Sequence, residues 1–312
     1  MLRKIALEEH FLSPGLIEYW LPGVAALDRT AADILFRRLT DLGDSRLDAM
    51  ARAGIEYAVL SAAGPGVRAE PVVATAVRRA SEANDFLARE ISKRPKAYLG
   101  FAHLPMQEPV AAAKELERCA RDLGFCGALI HDAVDGRSLD DPDFEILWER
   151  AEALDAPIYL HRGDRPAPAP EGYPELRGWE GVFETGAHVL RLVFGGVFDR
   201  YPKARLIVGR LGEALPYLLS VLDAQARRDA VRLDRLPSDY FRTNIHVTTA
   251  GLHAAPPLYC AVAALGGGQV MFGSGYPFES SEAAGTFLDA VRLDENLRAD
   301  IAFRNAERVL GL

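Results

Sequence analysis

Three side chains that are able to bind a divalent cation stand at the ends of two apolar runs. Glu8 and His10 close the run that begins at Ile5, and His161 closes the run Pro157–His161. Because side chains alternate in direction along a strand, Glu8 and His10 point to the same side. Two imidazoles and a carboxylate suit both metal binding and acid–base catalysis. Glu8, His10 and His161 are therefore the candidate active site.

Eight short apolar runs, separated by longer segments with helical periodicity, predict a succession of βα units. The predicted strands are Ile5–Glu8, Tyr57–Ser61, Ala97–Ala102, Gly127–His131, Pro157–His161, Arg205–Arg210, Asn244–Thr248 and Gln269–Ser274. The predicted helices include Glu70–Lys93, Pro109–Leu123, Asp143–Leu154, Gly186–Phe194 and Gly212–Arg228. No phosphate-type glycine loop follows the first strand, which disfavours an open doubly wound sheet. We predict one α/β domain over residues 1–312, a (β/α)8 barrel whose site lies at the carboxyl ends of the strands.

Two segments do not fit the βα rhythm. Residues 11–45 are too many for an ordinary βα connection, and we predict that they form a lid or a subunit contact. The stiff run Pro166–Pro170 follows the fifth strand and is compatible with a linker or with a lid.

Charge and composition exclude several classes of protein. With 36 basic and 44 acidic side chains the net charge is −8, and the arginines are scattered, so a nucleic-acid partner is disfavoured. The sequence shows neither a signal peptide nor an apolar stretch of about 18 residues, so we expect no membrane partner and a cytoplasmic location.

The sequence resembles the decarboxylase branch of the amidohydrolase superfamily, typified by γ-resorcylate, dihydroxybenzoate and aminocarboxymuconate semialdehyde decarboxylases. The resemblance spans nearly the whole chain. The motifs that carry it are Ala6–His10, Tyr159–His161, Gly196–Pro202, Leu211–Glu213 and Tyr276–Glu279. It implies a barrel of the amidohydrolase type, a homodimer or homotetramer, and metal ligation by Glu8, His10 and His161. It further implies that Glu213 supports a catalytic histidine three residues before it, and that an aspartate directly before Tyr276 completes the ligand set.

Two positions depart from that pattern, because Arg210 replaces the implied histidine and Gly275 replaces the implied aspartate. The site is thereby two charge units more positive. A unit charge about 5 Å from a divalent ion, at an effective dielectric constant of about 20, is worth on the order of 6 kcal/mol before solvent relaxation. We expect Arg210 to pair with Glu8 where a metal would lie, leaving no cofactor or a weakly held zinc or manganese ion. The alternative is a metal retained by Glu8, His10 and His161.

Roles for the remaining polar residues follow from their positions. We predict His10, His161, Arg210 and Glu213 as catalytic. The predicted substrate-binding residues are Arg162, His131, His188 and His246. His188 lies in an apolar helix, where a hydrogen-bonded core histidine is the alternative interpretation.

The sequence leaves three functional hypotheses open. The first is a lyase acting on a small, anionic, aromatic or polyketide-like carboxylate, by decarboxylation or by a metal-independent dehydration, isomerisation or cyclisation. The second is a metal-dependent hydrolase or decarboxylase. The third is a catalytically silent barrel that serves as a binding subunit.

Overall fold

Eight parallel strands form the centre of the molecule in the computed structural model, which describes residues 2–25, 27–131, 136–162 and 181–312. The strands are β1 (Lys4–Phe11), β2 (Ile55–Ala62), β3 (Tyr98–Gly100), β4 (Ala128–His131), β5 (Ile158–His161), β6 (Leu206–Val208), β7 (Ile245–Thr248) and β8 (Val270–Met271). The strands pair with their neighbours in sequence order within two groups, β1–β2–β3 and β4–β5–β6–β7–β8. Bridges between Ala102 and Ala128 and between Leu7 and Gly273 connect the two groups. The predicted (β/α)8 barrel is confirmed, and each predicted strand corresponds to an observed one.

Helices cover the outside of the barrel. Their bounds are α1 (Ile17–Trp20), α2 (Arg29–Thr40), α3 (Asp44–Ala53), α4 (Val73–Lys93), α5 (Pro109–Asp122), α6 (Glu145–Ala153), α7 (Gly181–Phe194), α8 (Val197–Arg200), α9 (Leu215–Arg228), α10 (Pro237–Thr243), α11 (Ala255–Leu265), α12 (Ser281–Ala290), α13 (Glu295–Ala299) and α14 (Asn305–Leu310). Helix α4 shows why the periodicity was informative. It buries Ala76, Ala80, Ala83 and Leu87, which recur at three- and four-residue spacing along one face.

The barrel interior below the candidate site is filled by apolar side chains. They come from seven of the strands or the residues that follow them: Ile5, Leu7, Val59, Phe101, Leu129, Tyr159, Ile207 and Met271. This layer closes the lower barrel, so polar residues beyond it meet in a cavity that opens at the carboxyl ends of the strands.

A β-bulge in β1 decides which residues of that strand face the cavity. Ala6 pairs with Ala58 and Glu9 pairs with Leu60, so β1 uses one more residue than β2 over this stretch. Glu8 adopts the left-handed conformation at φ +62°. In a regular strand the inward-facing Leu7 would share its face with Glu9. The bulge instead turns Glu8 and His10 inward and leaves Glu9 outside the cavity.

The insertion packs on the barrel flank. It contains α1, α2 and the first residues of α3, and its Leu12 amide donates to the Leu39 carbonyl at 2.9 Å. Leu16 and Trp20 are buried against the outer core. None of its described residues lines the site cavity, so the structure gives the lid prediction no support, and the subunit contact stays a prediction. Pro166–Pro170 lies outside the described residues.

Among the described helices, none is both long enough and apolar enough to cross a bilayer.

Candidate active site

The three residues singled out from the sequence converge at the top of the barrel. Donor atoms of Glu8, His10 and His161 all lie within 4.8 Å of one another. The Glu8 Oε1 atom is 3.5 Å from His161 Nε2, and the two imidazole rings are 5.0 Å apart between centroids in an edge-on arrangement. Residues from β1 and β5 therefore form one cluster, as predicted from the strand ends.

A contact through Nδ1 orients each of the two histidines. His161 Nδ1 donates to the carbonyl oxygen of Arg162 at 2.8 Å. His10 Nδ1 lies 3.2 Å from Ser61 Oγ on the neighbouring strand. A metal-binding histidine is usually oriented in this way, by a hydrogen bond from its other ring nitrogen.

Glu8 and His10 have the protonation states that metal binding requires. Burial raises the pKa of Glu8, but hydrogen bonding to His161, the charges of His161 and His10, and the Tyr159 hydroxyl bring it down to about 2. Burial, together with the charge of His161, lowers the pKa of His10 well below its usual value. A carboxylate and a neutral imidazole are the ligand forms that a divalent ion binds. The donor set thus fits such an ion.

Tyr159 is a part of the site that the sequence analysis did not identify. Its hydroxyl donates to Glu8 Oε2 and lies 2.9 Å from Thr248 Oγ1. Burial and the charge of Glu8 raise the pKa of Tyr159 well above its usual value, so the phenol remains a neutral donor. The sequence could have indicated this role, because Tyr159 lies two residues before His161 on β5 and alternate residues of a strand share a face.

Position 209 is a glycine because the backbone there passes close to the side chains of Glu8 and Tyr159. A Cβ atom there would lie 2.7 Å from Glu8 Oε2 and 3.1 Å from the Tyr159 hydroxyl. Because both atoms belong to the cluster, a side chain at position 209 would displace the Glu8 carboxylate.

Arg46 lies outside the cavity lining and binds the backbone of His10. This buried arginine of α3 donates from Nη2 to the His10 carbonyl at 2.5 Å, and its guanidinium lies 4.5 Å from the centre of the Tyr276 ring. Arg46 also donates from Nε to the Asp41 carbonyl at 3.1 Å, so the insertion, the end of β1 and the loop after β8 meet at one side chain that no sequence pattern had indicated.

The segment after β6 brings Arg210 and Glu213 to the cavity. The predicted strand to Arg210 is too long, because β6 ends at Val208. Residues 210 to 213 form a left-handed turn in which Arg210, Leu211, Gly212 and Glu213 have φ values of 50°, 54°, 76° and 55°. Three non-glycine residues in this region indicate backbone strain of the kind that is found at functional sites.

The expected pairing of Arg210 with Glu8 is wrong. No hydrogen bond or ion pair joins these side chains, both of which the structure describes, and Glu8 accepts from Tyr159 instead. The Arg210 side chain lies over Gly251, where a Cβ atom would be 3.4 Å from its Cγ, Nε and Cζ atoms. The guanidinium therefore does not occupy the place of an ion between Glu8 and the histidines.

Gly275 contributes no ligand to the cluster, and the neighbouring Glu279 side chain occupies part of the space beside it. A Cβ atom on Gly275 would lie 3.1 Å from Glu279 Cγ. Glu279 itself is exposed and lines the cavity.

The cavity has a mixed lining, with a metal-binding side and a side that carries arginines. Its described lining residues are Glu8, His10, Leu160, His161, Arg162, Thr185, Val208, Gly209, Arg210, Glu213, Gly251, Gly275, Phe278 and Glu279. Arg162 and Arg210 carry fixed positive charge beside the anionic Glu8, and Phe278 and Leu160 offer apolar contact. Such a lining suits a small aromatic anion.

Glu213 differs from the other carboxyl groups of the cavity. Burial raises its pKa to about 7, although the Gly186 amide and the charges of Arg210 and Arg162 act in the opposite direction. The Gly186 amide donates to its Oε2 atom at 3.2 Å. Glu213 therefore changes charge near neutral pH.

Two predicted substrate-binding histidines do not line the described cavity. His188 Nε2 accepts from the Leu139 amide at 2.8 Å, which makes it a core histidine. His246 pairs in register with Ile207, one layer below the cluster, and burial lowers its pKa to about 3. The assignment of His246 is therefore corrected, whereas substrate contact by His188 remains a prediction.

His131 lies beside His161, at the paired position on the neighbouring strand β4. Their ring centroids are 5.1 Å apart, and His131 Nε2 is 3.0 Å from the Ala62 carbonyl oxygen. It stands outside the described lining of the site cavity, so its predicted contact with substrate remains a prediction.

Comparison with known proteins agrees with this arrangement. A family model described as amidohydrolase matches residues 19–312. The γ-resorcylate decarboxylase of Rhizobium sp. (strain MTP-10005) is 38% identical over 100% of this chain and 99% of that protein. A crystal structure of 2,6-dihydroxybenzoate decarboxylase with 2,6-dihydroxybenzoate superposes with a TM-score of 0.91, at 36% identity over 100% of both chains.

A second solved structure bears on the metal. The dihydroxybenzoic acid decarboxylase of Polaromonas sp. JS666, solved with bound manganese and the inhibitor 2-nitroresorcinol, has a TM-score of 0.92 at 34% identity, covering 100% of this chain and 98% of that one. With the family model and these full-length relatives, the chain belongs to the amidohydrolase family, in its decarboxylase branch, and is a carboxy-lyase of that superfamily.

Proposed function

We propose that this protein is a metal-dependent decarboxylase of a small hydroxylated aromatic carboxylate. The observation that carries the proposal is the Glu8, His10 and His161 cluster, in which both histidines are held through Nδ1. The 2,6-dihydroxybenzoate decarboxylases at 36% identity support the choice of substrate class.

Glu8, His10 and His161 would hold the ion, which supplies a Lewis acid for an oxygen of the substrate when it is bound. The Polaromonas structure with manganese supports a divalent ion of this kind. The expectation of no metal, or of a weak one, rested on the added charge of Arg210, on the carboxylate missing at Gly275, and on an Arg210–Glu8 pair. No such pair is present among the contacts of these two residues. Three protein ligands also leave coordination positions for water and substrate.

The protein's own residues provide the remaining functions. Arg210 and Arg162 attract the substrate carboxylate, because a guanidinium stays charged at every relevant pH. Phe278 and Leu160 supply apolar surface for the ring. Tyr159 and Gly209 hold the Glu8 carboxylate in place from the opposite side.

The test is decarboxylation by protein that has been stripped of metal and then reloaded. Carbon dioxide release from a panel of ortho-hydroxybenzoates, including 2,6-dihydroxybenzoate, is measured before and after addition of manganese or zinc. We expect activity only after loading, and none in Glu8→Gln, which keeps the size of the side chain and loses its charge. Full activity in the stripped protein would support the metal-independent lyase hypothesis instead. A barrel that binds these acids but releases no carbon dioxide would be a binding subunit.

The homodimer or homotetramer implied by the family resemblance remains a prediction, for which size-exclusion chromatography with light scattering is the measurement.

A further inference from the structure

Decarboxylation replaces a carbon–carbon bond by a carbon–hydrogen bond, so the cavity must supply a proton to the ring. This requirement rests on the proposed function. The polar side chains that line the described cavity are Glu8, His10, His161, Arg162, Thr185, Arg210, Glu213 and Glu279. One of these side chains is expected to donate the proton.

Most of these groups are unsuited to the task. Glu8, His10 and His161 are the residues that the proposed function assigns to the metal, and Glu8 accepts a hydrogen bond from Tyr159. Arg162 and Arg210 do not release a proton at any relevant pH. The hydroxyl of Thr185 is a far weaker acid than a carboxyl group.

The choice therefore falls between two carboxyl groups. Glu279 is exposed at the cavity, and no hydrogen bond among the described residues fixes its carboxyl group. Glu213 is largely buried, and burial raises its pKa to about 7, so a large fraction of it is protonated at neutral pH. A general acid works best when its pKa is near the working pH.

The fold also holds Glu213 in position. The left-handed turn from Arg210 to Glu213 places both side chains at the cavity, and the Gly186 amide of α7 fixes Oε2 at 3.2 Å. The Thr185 hydroxyl also lies beside this carboxyl, where it acts to lower the pKa of Glu213. The charged groups around it are Arg210 on the same turn and Arg162 after β5.

We infer that the Glu213 carboxyl is the general acid that delivers the proton to the ring carbon bearing the carboxylate. The proton moves from Glu213 to that carbon, and the ring loses its aromaticity. The bond between the ring and the carboxylate carbon then breaks, its electron pair returns to the ring, and carbon dioxide leaves. The Glu213 carboxylate regains a proton from water, so one proton is consumed for each carbon dioxide released.

The same kind of proton transfer, made to the ring of resorcinol and followed by loss of the original hydrogen, gives a direct assay. Metal-loaded protein is incubated with resorcinol in D2O, and deuterium uptake at the carbon between the two hydroxyl groups is followed by NMR above the uncatalysed rate. Decarboxylation of 2,6-dihydroxybenzoate is measured in parallel. Binding of 2-nitroresorcinol and metal content report whether the site is intact.

For Glu213→Gln we expect kcat to fall at least about 100-fold and enzyme-dependent exchange to be lost. Metal content should be unchanged, and 2-nitroresorcinol should bind within about threefold of the wild-type affinity, because the amide keeps the contact with Gly186.

In the wild type kcat should fall as the pH rises above about 7, and the residual activity of Glu213→Gln should lack that dependence. Glu213→Asp, which retains an acid, should recover part of the activity. Glu149→Gln, on the exposed side of α6, is the matched control.

The outcomes separate the inference from the function on which it rests. Wild-type kcat and exchange in Glu213→Gln would overturn the inference and leave the decarboxylase in place. Loss of exchange in Glu279→Gln, but not in Glu213→Gln, would also overturn it and assign the acid to Glu279. A wild type that decarboxylates no ortho-hydroxybenzoate overturns the proposed function itself, and the inference with it.

Discussion

The Tyr159 hydroxyl donates to Glu8 Oε2 from within the barrel, whereas His161 Nε2 lies 3.5 Å from the other carboxylate oxygen, Oε1. Tyr159 thereby connects the apolar interior to the metal-binding cluster, and Thr248 on β7 holds the same hydroxyl at 2.9 Å. This bond adds to the effects of His161 and His10 in lowering the pKa of Glu8, and it restricts the rotation of the carboxylate.

Tyr159→Phe should weaken metal binding. Removing the hydroxyl takes away a donor to the Glu8 carboxylate, and loss of such an outer contact typically costs about 10- to 100-fold in metal affinity. Titration of the stripped protein with manganese or zinc measures the effect. Thr248→Val is the matched control, because it removes the other hydroxyl of the pair and leaves the bond to Glu8 intact. Equal metal affinity in Tyr159→Phe and the wild type would contradict this role.

Gly209→Ala should damage the site more than the fold. The backbone at position 209 is extended, at φ −70°, and tolerates alanine, but the new Cβ atom would lie 2.7 Å from Glu8 Oε2. We expect metal affinity and kcat to fall by at least about tenfold while the melting temperature changes by only a few degrees. Gly268→Ala is the control, because the nearest atom to its Cβ is the end of the Arg308 side chain at 3.7 Å. A fully active Gly209→Ala protein would show that Glu8 can move without loss of function.

Arg210→Gln should act on substrate binding. A charge-assisted contact with a carboxylate is worth about 1.5–3 kcal/mol, so KM should rise about 10- to 100-fold, with a smaller change in kcat. Because Arg210 does not pair with Glu8, metal affinity should stay within a few-fold of the wild type. Steady-state kinetics and metal titration are compared on the same preparations. A large gain in metal affinity without a change in KM would instead indicate that Arg210 competes with the ion.

Glu213 should also make stability depend on pH. Its pKa is raised in the folded protein from 4.5 to about 7, so the folded state binds a proton more tightly than the unfolded state between these values. The free energy of unfolding contributed by this group is therefore lost as the pH rises from about 4.5 to about 7. Because Glu213 is partly exposed, we expect an effect on the order of 1 kcal/mol.

Denaturant unfolding of stripped protein across this pH range, with wild type and Glu213→Gln compared at each pH, measures that contribution. The difference between the two proteins isolates Glu213 from Glu9, whose pKa burial also raises to about 7. A constant difference across the range would mean that Glu213 has an ordinary pKa in the folded state.

Local sequence patterns determined much of this protein. Apolar runs that alternate with helical periodicity were enough for eight strands, because burial on both faces of a parallel sheet needs a continuous apolar sequence. Polar residues at the ends of β1 and β5 identified Glu8, His10 and His161, since the carboxyl ends of barrel strands meet at one rim.

The direction of each of these side chains, and hence its contacts in the site, depends on tertiary structure. The bulge at Glu8 depends on the register between β1 and β2, which alternation alone does not specify. The path of the Arg210 side chain over Gly251 depends on a left-handed turn and on a neighbouring loop, and it reversed the expectation of an Arg210–Glu8 pair. Likewise, His246 resembled a site residue in the sequence, but the register between β6 and β7 sets it beside Ile207, below the cluster. Residue type and spacing fix what chemistry is available, whereas the direction of each side chain depends on contacts between segments far apart in the chain.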